Sequence, residues 1–157
     1  MPSYRAVKLL FEIASFDTAS DAAPLAALHA ACFVTAWDAA AITALLATQG
    51  TFAFHHQDGF VLARAAGGEA EILTLAVAPA ARGKGLGRAL LQAAINRAQN
   101  MGAQTMFLEV GADNPRALAL YAGLGFAKVG TRKAYYSALS GSTDAAVLRL
   151  SLPAKFA

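Results

Sequence analysis

Residues 71–88 read EILTLAVAPAARGKGLGR, and few backbone arrangements satisfy that order of residue types. The apolar run Ile72 to Val77 has the composition of a strand, and Pro79 marks a turn. Arg82-Gly83-Lys84-Gly85-Leu86-Gly87 then opens into a helical pattern beginning near Leu86. A strand, a glycine loop and a helix N-terminus in that order make an anion site. The first N–H groups of a helix have no intrahelical partner, and the helix dipole adds partial positive charge where they point. Glycines let the backbone approach an anion closely, and Arg82, Lys84 and Arg88 add full charges. The stretch therefore predicts an α/β chain that holds a phosphate or pyrophosphate at Arg82 to Arg88.

Spacing separates three such loops. A nucleoside-triphosphate loop needs G-x-x-x-x-G-K-[ST], and no Lys-Ser or Lys-Thr follows these glycines. A dinucleotide fingerprint needs G-x-G-x-x-G, but Gly83 and Gly85 put Arg88 at the last glycine position. The third loop, [QR]-x-x-G-x-[GA], grips the pyrophosphate of coenzyme A, and Arg82-x-x-Gly85-x-Gly87 fits it position by position. The structural alternative is a tight strand-to-helix turn with no ligand.

Composition narrows the class further. At 157 residues the chain is expected to be one domain, 1–157, able to bury a core without staples. Hydrophobic residues make up 57% and charged residues 15%, which excludes a wholly disordered chain. No apolar run reaches the length of a membrane span, and the N-terminal residues lack the pattern of a signal peptide. The one cysteine allows no internal disulfide, so a cytoplasmic setting is expected. A net charge of +3 favours anionic ligands, but no basic-aromatic stripe suggests nucleic acid.

Taken in order, Tyr4 to Ala14 reads as an edge strand, and Ser20-Asp21 starts a helix running to about Phe33. Thr35 to Asp38 resembles a capping box for a second helix that stops at Gly50. Three strands follow as an antiparallel meander: TFAFHH, FVLARAA after the turn Gln57-Asp58-Gly59, and Ala70 to Val77 after Ala66-Gly67-Gly68. Beyond the glycine loop, apolar residues from Leu86 to Ala98 repeat at helical spacing until Met101-Gly102. Thr105 to Val110 reads as a buried strand broken by Glu109, and Asp113-Asn114-Pro115 starts a short helix that ends at Gly123-Leu124-Gly125. Phe126 to Lys133 and Ala145 to Leu152 complete the strands.

With LAVAPAARGKGLGRALL and LEVGADNPRALALYAGLGF both in view, the chain resembles the GNAT superfamily of acyl-CoA-dependent N-acetyltransferases over roughly residues 20–150. The second segment is most similar to the RimI type, the ribosomal-protein-alanine N-acetyltransferases. The chain departs from that type at Gly111, at Ala36 before Trp37, and at Ser137 after Tyr135-Tyr136. The resemblance implies a mixed, mostly antiparallel sheet of about six or seven strands flanked by about four helices. It implies acetyl-CoA as co-substrate, held by the strand residues Leu75, Ala76 and Val77 and by Arg82, Gly83, Lys84, Gly85, Leu86, Gly87 and Arg88. Asn114 and Tyr121 would lie near the reactive end, and Trp37, Tyr135 and Tyr136 would border the acceptor. The implied acceptor is a primary amine, first a protein N-terminus, with a small amine or a non-catalytic acyl-CoA-binding role as alternatives. No metal, nucleic acid or membrane partner is implied, and the chain is expected to be a monomer or homodimer.

Acetyl transfer to an amine explains the two residues assigned to catalysis. The amine must be neutral to attack, and an α-amine with a pKa near ~8 needs less help than a lysine near ~10.4. Glu109, in an apolar strand, would take the proton directly or through water, and Tyr121 would protonate the departing thiolate. The plainer readings are Glu109 paired with Arg116 or Lys128, and Tyr121 as a core aromatic. Trp37 is read equally as core or acceptor pocket. His29 and Cys32 read as a satisfied histidine beside a buried apolar cysteine rather than a nucleophilic pair. His55-His56 alternates faces and cannot chelate a metal as a pair.

Overall fold

A computed structural model describes residues 11–133 and 144–154. In chain order the elements are β1 (Ala14–Ser15), α1 (Ala23–Cys32), α2 (Ala39–Leu46), β2 (Thr51–His56), β3 (Gly59–Ala66) and β4 (Glu69–Val77). A 3-10 turn at Pro79–Ala81 precedes α3 (Leu86–Asn100), β5 (Thr105–Gly111), α4 (Pro115–Gly123), β6 (Ala127–Arg132) and β7 (Ala145–Ser151). The strands form one seven-stranded sheet in the order β1-β2-β3-β4-β5-β7-β6. Its pairs are antiparallel except β4 with β5, which is parallel. The mixed α/β architecture expected from the sequence is the one observed.

Two cores sandwich the sheet. On one face α3 packs its apolar stripe, Leu86, Leu90, Leu91, Ala94, Ile95 and Ala98, against Val61 and Ala63 of β3 and against Met106, Leu108 and Val110 of β5. On the other face, Leu25 of α1 with Ile42 and Leu46 of α2 covers Phe60, Leu62 and Ala76. The strand β3 is thus covered on both sides, so its first five residues are all buried. Each fully buried Leu or Phe contributes about 1.5–3 kcal/mol of burial, so these clusters carry most of the fold.

Ala63 pairs with Ile72, but Leu62 pairs with Thr74, so Leu73 is an extra residue in β4. A bulge of this kind resets the alternation of side chains. Before it, Ala70 and Ile72 face α3; after it, Leu75 and Val77 do.

Several sequence expectations need correction. Residues 4–10 of the expected first strand lie outside the described residues, and within them the strand covers only Ala14 and Ser15. The first helix begins at Ala23, not at Ser20-Asp21. Asp21 accepts from Ala23 N at 2.9 Å just ahead of it, and proline occupies the first turn. The capping box reduces to Asp38, whose Oδ1 accepts from Ala41 N at 2.8 Å. The helix it opens ends at Leu46, short of Gly50, because residues 47–50 form a turn onto β2. Gly50 has φ +85° and sits where a Cβ would collide with the carbonyl oxygen of Ala65, so its role belongs to the sheet. The hairpin turn is Gln57-Asp58 alone, and Gly59 is already in β3.

Candidate active site

The parallel pairing of β4 with β5 lasts three residues: Glu69 with Thr105, Ala70 with Met106, and Glu71 with Phe107. Both strands continue, β4 to Val77 and β5 to Gly111, but they part. The gap opens a cleft of about 490 Å³ between the two strands, the glycine loop and α4. Leu75 and Val77 line it, whereas Ala76 is fully buried on the α1–α2 side.

At one end of the cleft stands the glycine loop. Gly83 and Gly85 have φ of +81° and +91°, a region that side chains disfavour, and Gly85 is the N-cap of α3 without a side-chain cap. The first N–H groups of α3 are therefore free of side-chain competition. A Cβ at Gly87 would meet Leu120 at 3.4 Å, an ordinary van der Waals contact. Arg82 and Arg88 line the cleft, while Lys84 does not. Arg82 is held in place: its Nε donates to the Val77 carbonyl at 3.0 Å. Backbone donors, left-handed glycines and cations together suit a pyrophosphate.

At the other end the two assigned residues lie on opposite faces of the split sheet. Tyr121, in α4, is buried within the α3-side core, its ring edge-on to Phe126 at 5.8 Å. Burial pushes its hydroxyl up to about 12, so it stays protonated at neutral pH. Glu109 alternates with the buried Leu108 and Val110 and so faces away from that core. Its surroundings correct the apolar expectation: the carboxylate is exposed and paired with Arg132 Nη1 at 3.2 Å. That partner is neither Arg116 nor Lys128. Arg132 reaches Glu109 from β6 across the intervening β7, and sequence distance carries no sign of that contact. Both Glu109 and Tyr121 line the cleft.

Asn114 lines the cleft, and its Oδ1 caps α4 by accepting from Ala117 N at 3.1 Å. Trp37 is not in the wall; it stacks on His29 at 4.8 Å, and its backbone N–H donates to His29 Nδ1 at 3.0 Å. His29 is buried, which pushes its pKa down, in keeping with a neutral ring accepting that bond. Cys32 corrects the buried expectation: it is half-buried, lines the cleft and donates to the Val77 carbonyl at 3.3 Å. Tyr135 and Tyr136 lie outside the described residues. Among the wall residues that the sequence did not assign to the site, Arg116 and Thr74 carry polar groups suited to a ligand. Arg116 stands beside the glycine loop, 3.7 Å from where a Gly83 Cβ would be. A cation in the first turn of a helix opposes the dipole, and that was its available signal. Thr74 is the other, a lone hydroxyl in the apolar run ILTLAV.

Residues 10–126 match the model of the Acetyltransferase (GNAT) family. The chain belongs to that family. Among GNAT relatives, the ribosomal protein bS18-alanine N-acetyltransferase of Escherichia coli K12 is 40% identical over 84 residues. That match covers 54% of this chain and 57% of the relative, so the chain spans just over half the length of that relative. The crystal structure of the Escherichia coli ribosomal-protein-S18-alanine N-acetyltransferase superposes with a TM-score of 0.81 at 27% identity, covering 92% of this chain and 95% of that one. Arabidopsis thaliana NAA60, solved in complex with acetyl-CoA, shares the GNAT fold at a TM-score of 0.77 and 18% identity, covering 89% and 98%.

Proposed function

We propose that this protein moves the acetyl group of acetyl-CoA to the α-amine of a protein N-terminus, in the manner of ribosomal-protein-alanine acetylation. One observation carries the reading: where β4 and β5 part, a carboxylate and a buried, protonated phenol line one cleft from opposite faces of the sheet. The 40% identity to a bS18-alanine N-acetyltransferase supports the choice of acceptor.

Each wall residue then has a task. The loop from Arg82 to Arg88 and the N-terminus of α3 hold the pyrophosphate, with Arg116 adding charge. The open edge of β4 at Leu75 and Val77 pairs with the pantetheine arm as an added strand would. Acetyl-CoA supplies an acetyl thioester, in which a C–N bond forms as the C–S bond breaks. Glu109 takes the proton the amine must lose, directly or through water, and Arg132 keeps that carboxylate oriented. Tyr121 gives its proton to the sulfur, whose free-thiol pKa of ~8.5 makes it a modest leaving group. Backbone N–H groups of β4 face the charge that develops on the carbonyl oxygen. The sheet plane thus divides nucleophile from leaving group, with the acyl carbon between them.

The test is thiol release from acetyl-CoA with a peptide carrying a free N-terminal alanine, beside the same peptide with its α-amine blocked and a lysine available. Turnover on the free N-terminus alone, lowered on the order of 10²-fold in Glu109→Gln, is the expected result. Equal turnover on both peptides, or on neither, would overturn the acceptor assignment.

A further inference from the structure

Thr74 is more than nine-tenths buried, yet its side chain lines the cleft and makes no hydrogen bond among the described residues. Among the described residues the fully buried side-chain oxygen without a partner is Thr51 Oγ1, so the Thr74 hydroxyl is open to the cleft, where a bound ligand can complete its hydrogen bonds.

The bulge places this hydroxyl. Pairing runs Arg64 with Glu71, Ala63 with Ile72 and Leu62 with Thr74, so Thr74 stands two rungs along the sheet from Glu71. Across the gap, Glu71 pairs with Phe107, and two rungs along from Phe107 is Glu109. Thr74 and Glu109 are therefore level on the two sides of the split. They also share a face. Thr74 lies opposite Leu62, which belongs to the α1–α2 side, and Glu109 points away from the α3 side. Without Leu73 as the extra residue, position 74 would take the other face, toward α3 and Tyr121.

We propose that Thr74 is the amine-positioning residue of this site: its Oγ accepts a hydrogen bond from the attacking nitrogen while Glu109, opposite, removes the proton. The inference rests on the acetyl-transfer reading of the cleft but not on which amine is the acceptor. A neutral amine has two N–H bonds and one lone pair. Fixing one N–H on Thr74 and directing the other toward Glu109 turns the lone pair to the thioester carbon. The transferred proton leaves by Glu109, and Thr74 neither gains nor loses one. A hydroxyl suits this place because it stays neutral through the step and never competes as a base.

Two variants and two ligands separate the claim from its rivals. The ligands are conjugates in which an acetyl bridge joins the coenzyme A sulfur to an amine, one to the α-amine of an alanine peptide and one to ethylamine. Thr74→Val is expected to bind both conjugates about tenfold more weakly than the natural protein does. Its affinity for coenzyme A alone should be unchanged, and Thr74→Ser should recover most of the loss. With whichever amine turns over, Thr74→Val should lower kcat/KM for the acceptor while KM for acetyl-CoA stays put. Unaltered conjugate binding in Thr74→Val would overturn the assignment, as would a serine variant no better than valine, which would mark a packing role. An equal loss for coenzyme A alone would also overturn it, by assigning the hydroxyl to the cofactor arm. Failure of the alanine peptide to react would remove the N-terminal acceptor and leave the ethylamine conjugate to decide Thr74. A thermal melt of each variant within a few degrees of the natural protein certifies that the fold is intact.

Discussion

Burial of Tyr121 has two consequences that one substitution separates. Its hydroxyl titrates near 12 rather than near ~10, so in the folded chain the proton stays on through the neutral range. Stability from this group is fully present below the unfolded value of about 10 and is lost as pH rises toward 12, because the unfolded chain ionises first. Tyr121→Phe should abolish that alkaline slope, on the order of 2–3 kcal/mol, in denaturant titrations taken across the range. In the same variant, kcat should fall by roughly 10²-fold while the Kd for acetyl-CoA moves less than about twofold. An unchanged kcat would remove Tyr121 as the proton donor. Glu109 stood out in the sequence as a charge among apolar strand residues, but its role and that of Tyr121 came from the resemblance to the GNAT superfamily. The sequence had no means of showing Arg132, since that pair depends on β7 being inserted between β5 and β6.

At the scale of elements, the strand-loop-helix unit from β4 to α3 was the most legible part of the chain. Glycines, proline and apolar periodicity there all demand the same backbone. Gly85 is the sharpest of these demands, an N-cap at φ +91°. Gly85→Ala is expected to cost about 1–2 kcal/mol in chemical denaturation. It should also weaken acetyl-CoA at least tenfold by turning the first N–H groups of α3 aside, as isothermal calorimetry would read. A variant that binds acetyl-CoA normally would dissociate the loop from the pyrophosphate. Less legible were the ends of α1 and α2, where Pro24 and Asp38 competed with other capping residues nearby. The bulge at Leu73 was invisible, because one extra residue in an apolar run leaves no mark on composition.

For the molecule as a whole, hairpin turns announced the β2-β3-β4 meander, but the order of the far strands follows from tertiary packing alone. A ligand that binds only the folded chain raises its stability by about 2.7 kcal/mol at one hundred times its Kd. For a chain of 157 residues that corresponds to a melting shift of roughly 5–10 °C with saturating acetyl-CoA. The shift should shrink as salt rises, since cations at the glycine loop contribute to it. No shift in calorimetry at any concentration would rule out acetyl-CoA as a ligand.

The brief contact between β4 and β5 bears on how such a protein comes to be whole. Within the sheet, strands β1 to β4 form one ribbon and β5, β7 and β6 another, stitched together by only three rungs. Above those rungs the backbones carry hydrogen-bonding edges with no neighbouring strand among the described residues. A pantetheine arm lying there, with its two amides, has the length and the donors and acceptors of a short strand. The co-substrate would then be more than cargo passing through a preformed slot. On each turnover it would serve as the eighth strand of the sheet, and each departing coenzyme A would leave the two ribbons to flex about their shared stitch before the next one closes the seam.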